Sequence, residues 1–292
     1  MLFRRRSSLT PTGATALASA LRAPTFELVP LRNALDQAAL LPVGATVSVT
    51  ASPAKGIEAT VALCEQLQAR GFQAVPHLSA RMIRDRTHLS ELIAWLEGAG
   101  VDRAFVVGGD AKEPGAYPDG LSLLRAMAEI GHPLSEIGIP AYPLGHPFIA
   151  DALLLDALRA KAAFASYMTT QLCFDPNAIA NWIAARRAED ITLPVHLGLP
   201  GVAEPQRLLA ISARIGVADT HRFLVKNTQF IARLIRSGGF YRPDGLLEGL
   251  VPHIANPTMG IVDLHLYTFN AVDVTERWRT AYLDQLRVRS AA

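Results

Sequence analysis

One carboxylate stands where a buried strand should have none. Glu27 lies between Phe26 and Leu28 in an otherwise apolar run, and an unpaired charge there costs several kcal/mol. Costly buried ionisable groups mark functional sites, so Glu27 is the first candidate for acid–base chemistry. Other polar residues close short apolar runs in the same way: Thr50, His77, Tyr142 with His146 close behind, and Thr170 followed by Gln171. Asp110 follows Gly108-Gly109 and reads equally as a strand terminator or cap. His77 reads equally as a satisfied core histidine, and the threonines fit a sheet edge on propensity alone. Gln171 carries an amide that needs forked hydrogen-bond partners. Lys161, inside a helical stretch, is a solvated lysine unless a ligand phosphate lies nearby.

These residues need a scaffold that gathers them. Beyond residue 24 the chain repeats a short β-rich run, a turn and a helical stretch. The runs Thr25–Val29, Thr46–Thr50, Gln73–His77, Arg103–Val107, Ile137–Ala141, Tyr167–Thr170, Val195–Gly198 and Gly260–Leu264 read as strands covered on both faces. Helical periodicity fills Ile57–Arg70, His88–Ala99, Leu121–Ile130 and Ala150–Phe164. Leu89, Leu92, Ile93 and Leu96 form one buried stripe, with Thr87 as the predicted N-cap and Gly98 or Gly100 as the stop. Eight strands alternating with helices predict a single α/β domain, a (β/α)8 barrel over residues 24–292, with its site at the C-terminal ends of the strands. Two helical patterns around Gly238-Gly239, within Thr220–Ile254, predict an enlarged seventh crossover. Residues 1–23 read as a basic tail followed by a short amphipathic helix over Ala14–Leu21. An organellar transit peptide is disfavoured, because Pro11 and Gly13 interrupt the import-helix pattern.

Composition narrows the chemistry. Of 292 residues, 28 are basic and 26 acidic, leaving a net charge of +2 that offers no footprint for nucleic acid. No apolar run approaches the ~18 residues a membrane span needs. Cys64 and Cys173 lack metal-ligand spacing, which predicts a soluble protein of a reducing, cytoplasmic compartment with no bound metal. No Ser-His-Asp order, HExxH, CxxC, GxGxxG or Walker motif occurs, which turns attention from hydrolase and zinc chemistry to an organic cofactor.

The strand-end segments, in their order and spacing, resemble the methylenetetrahydrofolate reductase family from Phe26 to about Asn270. The matching pieces are Phe26-Glu27 with Pro30, Ser48-Val49-Thr50, His77-Leu78, Ala99-Gly100-Val101 leading to Gly109-Asp110, and Ala141-Tyr142-Pro143 with His146. They continue with Lys161, Thr170-Gln171-x-x-Phe174-Asp175 and Leu264-His265-Leu266-Tyr267-Thr268-x-Asn270. The resemblance implies reduction of 5,10-methylenetetrahydrofolate to 5-methyltetrahydrofolate in one-carbon metabolism that feeds methionine synthesis. The hydride comes from NADH or NADPH, normally through FAD. It implies Glu27 as general acid, its pKa raised by burial, and Asp110 beside pterin and flavin. It further implies Gln171 on the pterin edge, with Thr50, His77, Tyr142, His146 and Lys161 as FAD contacts. Association into a homo-oligomer is also implied.

Three departures qualify the cofactor. Gly108 stands where the family usually has an arginine before Gly-Asp, and Leu154 stands at or near a family aspartate. No aromatic residue occurs in Leu199–Glu204, where one usually stacks on substrate. A lost arginine clamp removes roughly 1.5–3 kcal/mol, so FAD is held weakly or not at all. Two alternatives stay open: hydride passing directly from NADH to the folate, and a folate-binding barrel subunit without redox activity.

Overall fold

The computed structural model describes residues 9–208 and 239–290. Eight parallel strands close into a barrel in sequence order: β1 (Thr25–Leu28), β2 (Thr46–Val49), β3 (Gln73–Ser79), β4 (Arg103–Val107), β5 (Glu136–Ala141), β6 (Tyr167–Thr170), β7 (Val195–Pro200) and β8 (Ile261–Tyr267). The last strand pairs with the first, so no sheet edge is left open. The fold is the predicted (β/α)8 barrel. Among the described residues its helices are α1 (Pro11–Arg22), α2 (Ala34–Ala38), α3 (Ile57–Gln68), α4 (Arg86–Gly98), α5 (Gly120–Ile130), α6 (Asp151–Ala162), α7 (Pro176–Ala188), α8 (Asp244–Ile254) and α9 (Val272–Ser290). No helix among the described residues is long and apolar enough to cross a membrane. Residues 1–8 of the basic tail, and most of the two patterns around Gly238-Gly239, lie outside the described residues.

Strand alternation divides the sheet into two faces. Phe26, Leu28, Val47, Val49, Leu78, Ala104, Val106, Ile139, Met168, Leu197, Leu199, Leu264 and Leu266 are fully or almost fully buried against the helical layer and form one continuous core with it. The other face lines the lumen. Pairing partners run from Glu27 to Ser48 and Val75, from His77 to Phe105, Gly138 and Tyr167, and from Thr169 to His196 and Asp263. Branched aliphatics dominate most such lumens; this one is largely polar and aromatic. Its apolar part is a separate cluster of Val75, Phe105 and Tyr167 on the β3–β6 side.

Three strands run further than the apolar runs suggested. β3 reaches Ser79, β7 reaches Pro200 and β8 reaches Tyr267, because each keeps pairing with its neighbour to the rim. Helix α4 begins earlier than predicted. Asp85, in extended conformation, accepts the His88 N–H at 2.8 Å and is the cap in place of Thr87. Helix α1 likewise starts at Pro11 rather than Ala14. Thr10 caps it, accepting from the Gly13 N–H, and proline at the first position opens the helix instead of breaking it. Gly13 lets α1 lie on α8, since a Cβ there would meet Val251 Cγ1 at 2.7 Å.

Gly138 decides how the lumen fills. A Cβ at this inner-face position would come within 2.4 Å of the Tyr167 ring and 2.5 Å of the Phe105 ring, whose centroids are 6.4 Å apart. Gly138→Ala should therefore overpack the lumen and destabilise the protein by about 1–3 kcal/mol. Urea denaturation would read this as a lower midpoint at unchanged slope.

Candidate active site at the C-terminal mouth

Glu27 occupies the second-last position of β1 on the inner face, with its side chain 15% exposed. It is not unpaired. His265 Nε2 lies 3.3 Å from its Oε2, and His77 Nε2 lies 3.9 Å from the same oxygen. His77 also meets Ser48 Oγ at 2.8 Å and packs on Phe105 with centroids 4.8 Å apart. Burial pulls the His77 pKa down to about 4, with Glu27 opposing and His265 reinforcing, so the ring is neutral near pH 7.

The last motif of the chain holds the acid's backbone. Thr268 donates its hydroxyl to the Glu27 carbonyl at 2.6 Å, while Asn270 accepts the Val29 N–H at 2.8 Å and donates to the Val29 carbonyl at 2.9 Å. Asn270 does this from a left-handed backbone (φ 56°) that asparagine tolerates better than most residues. Tyr267 sends its hydroxyl across the mouth to the Thr170 carbonyl at 2.9 Å. Burial first, then the charge of Glu27, holds that phenol in its neutral form.

Opposite Glu27, Asp110 projects exposed from the loop after β4. The preceding Gly109 has φ 90°, and a Cβ there would lie 1.9 Å from Ser79 Oγ, so only glycine lets this loop rest on the end of β3. Burial, and then the Asp110 charge, push the Tyr142 phenol up to about 12. His146 packs edge-on to Tyr142 at 5.3 Å and accepts the Phe148 N–H through Nδ1. Burial lowers its pKa, partly offset by Asp110. Asp110 follows β4 and Tyr142 and His146 follow β5, so they lie at the same C-terminal end of the barrel as Glu27 near the end of β1.

The remaining expected residues divide. Gln171 sits on the rim, but its Oε1 accepts the N–H of Leu172 at 2.8 Å, leaving the amide NH2 as its outward donor. Thr50 is half-buried just past β2, its N–H bonded to the Leu28 carbonyl. Thr170 spends its hydroxyl on the Gly198 N–H at 2.8 Å and serves the sheet. His77, expected as a cofactor contact at a strand end, lies two residues below the end of β3 and is 8% exposed. It faces Glu27 instead. Two buried inner-face hydroxyls, Ser79 Oγ and Thr169 Oγ1, have no hydrogen-bond partner among the described residues, so the lumen holds polar capacity that the protein itself does not use.

A cavity of about 480 Å³ lies between α6, α7 and the loop after β5, lined by Tyr142, Gly145, Leu154, Lys161, Trp182 and Arg186 among others, and Tyr142 is the mouth residue that borders it. Arg186 is engaged by Glu189 through two bonds at 2.8 and 2.9 Å. Lys161 makes no ion pair among the described residues, and burial, opposed by Asp119, lowers its pKa. A Cβ on Gly108 would meet nothing within 4 Å, so open space stands where the resembling family has its arginine.

At the opposite mouth the lumen ends in charges that sequence reasoning did not single out. Asp263 accepts from Thr25 Oγ1 at 3.2 Å and lies 3.7 Å from His196 Nδ1; Arg103 and Glu136 pair at 3.5 Å. His196 stacks on Tyr167 at 3.9 Å, and burial, then His265 and Arg103, lower its pKa to about 3. The signal for this group was the alternation of polar and apolar residues along Asp263-Leu264-His265-Leu266-Tyr267.

No family model matches the sequence. Among solved structures, a protein assigned as a phosphonomutase from Burkholderia cenocepacia aligns over 94% of this chain and 99% of its own, at 15% identity and TM-score 0.44. Tryptophan synthase from M. tuberculosis aligns over 87% of this chain and 100% of its own, at 16% identity and TM-score 0.42. A muconate cycloisomerase from Azorhizobium caulinodans aligns over 87% of this chain and 57% of its own, at 13% identity and TM-score 0.42.

Burial raises the Asp263 pKa from 3.8 to about 6, against the pull of the Leu264 N–H and the Thr25 hydroxyl. The folded state thus prefers the protonated acid. That preference is fully present below pH 3.8 and is lost as pH rises through 6, above which ionised Asp263 costs about 3 kcal/mol. Asp263→Asn should raise the urea midpoint relative to wild type at pH 8 and leave it nearly unchanged at pH 4.

Proposed function

We propose that the chain is a reductase that converts 5,10-methylenetetrahydrofolate to 5-methyltetrahydrofolate with hydride from NADH or NADPH, Glu27 serving as general acid. The observation that carries the reading is Glu27 itself, a carboxyl group just inside the C-terminal mouth with two imidazoles beside it. Opening the imidazolidine ring of the substrate requires a proton on a ring nitrogen, and the iminium left behind accepts hydride at carbon. Glu27 would deliver that proton from the lumen side, shielded from bulk water. Asp110, across the mouth, would stabilise the positive charge of the iminium. The Gln171 NH2 and the rim hydroxyls would orient the pterin edge.

The residues around the cavity fit a flavin dinucleotide. Lys161 supplies a cation for a diphosphate and Tyr142 an aromatic face, Leu154, Leu155, Leu158 and Trp182 supply apolar wall, and Asp151 adds a carboxylate beside them, with His146 packed on Tyr142. FAD, when bound, would carry hydride between the nicotinamide and the folate. Gly108 and Leu154 favour a second reading in which the dinucleotide is weakly held and NAD(P)H reduces the folate directly. Glu27, Asp110 and Gln171 keep the same duties under either route. A folate-binding subunit without redox activity has no observation of its own in its favour.

Glu27→Gln keeps a hydrogen-bonding group but no transferable proton. It should reduce folate-dependent NAD(P)H oxidation by about three orders of magnitude, and near-wild-type turnover would overturn the assignment. The visible spectrum of freshly purified protein separates the two routes. A flavin band at near-stoichiometric intensity supports FAD, whereas colourless protein that turns over with NADH alone supports direct transfer.

A further inference from the structure

The lumen is divided lengthwise. Val75, Phe105 and Tyr167 fill the β3–β6 side, whereas the seam formed by β7, β8 and β1 carries a polar column from one mouth to the other. From the C-terminal mouth downward the column consists of Glu27, His265, Asp263 with His196, and Thr25. We propose that His265 and Asp263 form a proton relay that recharges Glu27 from water at the N-terminal mouth. The inference rests on the reading of Glu27 as general acid.

Three observations support it. First, the reaction consumes one proton per turnover, and bound substrate and dinucleotide would cover the C-terminal mouth from which Glu27 could otherwise draw it. Second, the opposite mouth is wet and charged: the side chains of Asp263, Arg103 and Glu136 are 25%, 31% and 41% exposed. Third, the two imidazoles beside Glu27 are not equivalent. His77 stays neutral and is engaged by Ser48, and its other close neighbour is Phe105. His265, 4% exposed, is nearer to the carboxylate and shares its strand face with Asp263 two residues below. That separation is about 6.6 Å along the strand, close enough for His265 to act on the Asp263 charge.

The proton balance is simple. Glu27 gives its proton to the substrate nitrogen and becomes a carboxylate. Asp263, protonated by hydronium from bulk solvent at the lower mouth, passes its proton to Nδ1 of His265 as the Nε2 proton moves to the Glu27 carboxylate, and a half-turn of the imidazole then returns an N–H to the Glu27 side for the next turnover. The groups that face His265 are Glu27 from β1, His77 from β3, His196 from β7, and Asp263 and Tyr267 from its own strand, with Arg103 acting on Asp263 and His196. Asp263 holds its proton up to about pH 6, within reach of physiological pH. His265 and Asp263 are thus positioning residues that act through Glu27.

The test compares wild type, His265→Gln and Asp263→Asn in rapid-mixing single turnovers and in steady state, with folate substrate and NADH. A relay predicts single-turnover rates within about twofold of wild type in both variants when Glu27 starts protonated, with kcat lowered about tenfold or more. Added imidazole should restore kcat of His265→Gln without changing KM. Parallel loss of both rates, a change confined to KM, or unchanged kcat in both variants would each overturn the relay. Wild-type protein that reduces no folate would instead defeat the reading of the reaction, and the relay would fall with it.

Discussion

A carboxylate inside a closed sheet must find partners, and Glu27 finds them in the two imidazoles that reach it from β3 and β8. Much of the inner architecture follows from meeting that demand. His77 needs Ser48 on β2 to occupy its ring nitrogen, and both need the register that sets Glu27 beside Ser48. Thr268 and Asn270 then fix the backbone on either side of the acid, so the closing segment of the chain also positions the opening strand. The stability of the seam and the placement of the acid are therefore one problem, because the same residues serve both.

The fold was legible because its signals are local and repeated. Eight apolar runs bounded by Gly, Pro or Asp, with helical periodicity between them, leave few architectures open, and the strands fall where those runs lie. What the runs could not show is where each strand stops. Ser79, Pro200 and Tyr267 belong to strands only because a neighbour continues beside them, and that pairing is invisible along a single chain. The helix caps were misplaced for a similar reason. Thr87 and Asp85 both offer an oxygen, and the extended backbone at Asp85 decides between them.

The site was legible in part. Glu27 stood out because a charge within an apolar run demands an explanation, and Tyr142, His146 and Asp110 do gather near one another at the mouth. His77 misled, since a polar residue near the end of an apolar run looks the same whether it faces a ligand or a neighbouring side chain. His265 shows no role in the sequence, because its partner lies 238 positions away. That Asp263, His196 and Arg103 form a lower cluster carries no signal in the sequence, because they stand near the start of three different strands and meet only when the barrel closes.

Helix α1 lies along α8 and α9, and Arg279 of α9 donates to the carbonyls of Leu21 and Arg22 just before β1 begins. The outer cover of the seam is therefore built from segments more than 200 positions apart in sequence. Helix α1 and strand β1 must wait for α8, β8 and α9 to be made before the cylinder can shut. Until then an unzipped edge and the apolar faces of α1 and β1 are exposed together, the condition under which a nascent chain most needs a chaperone.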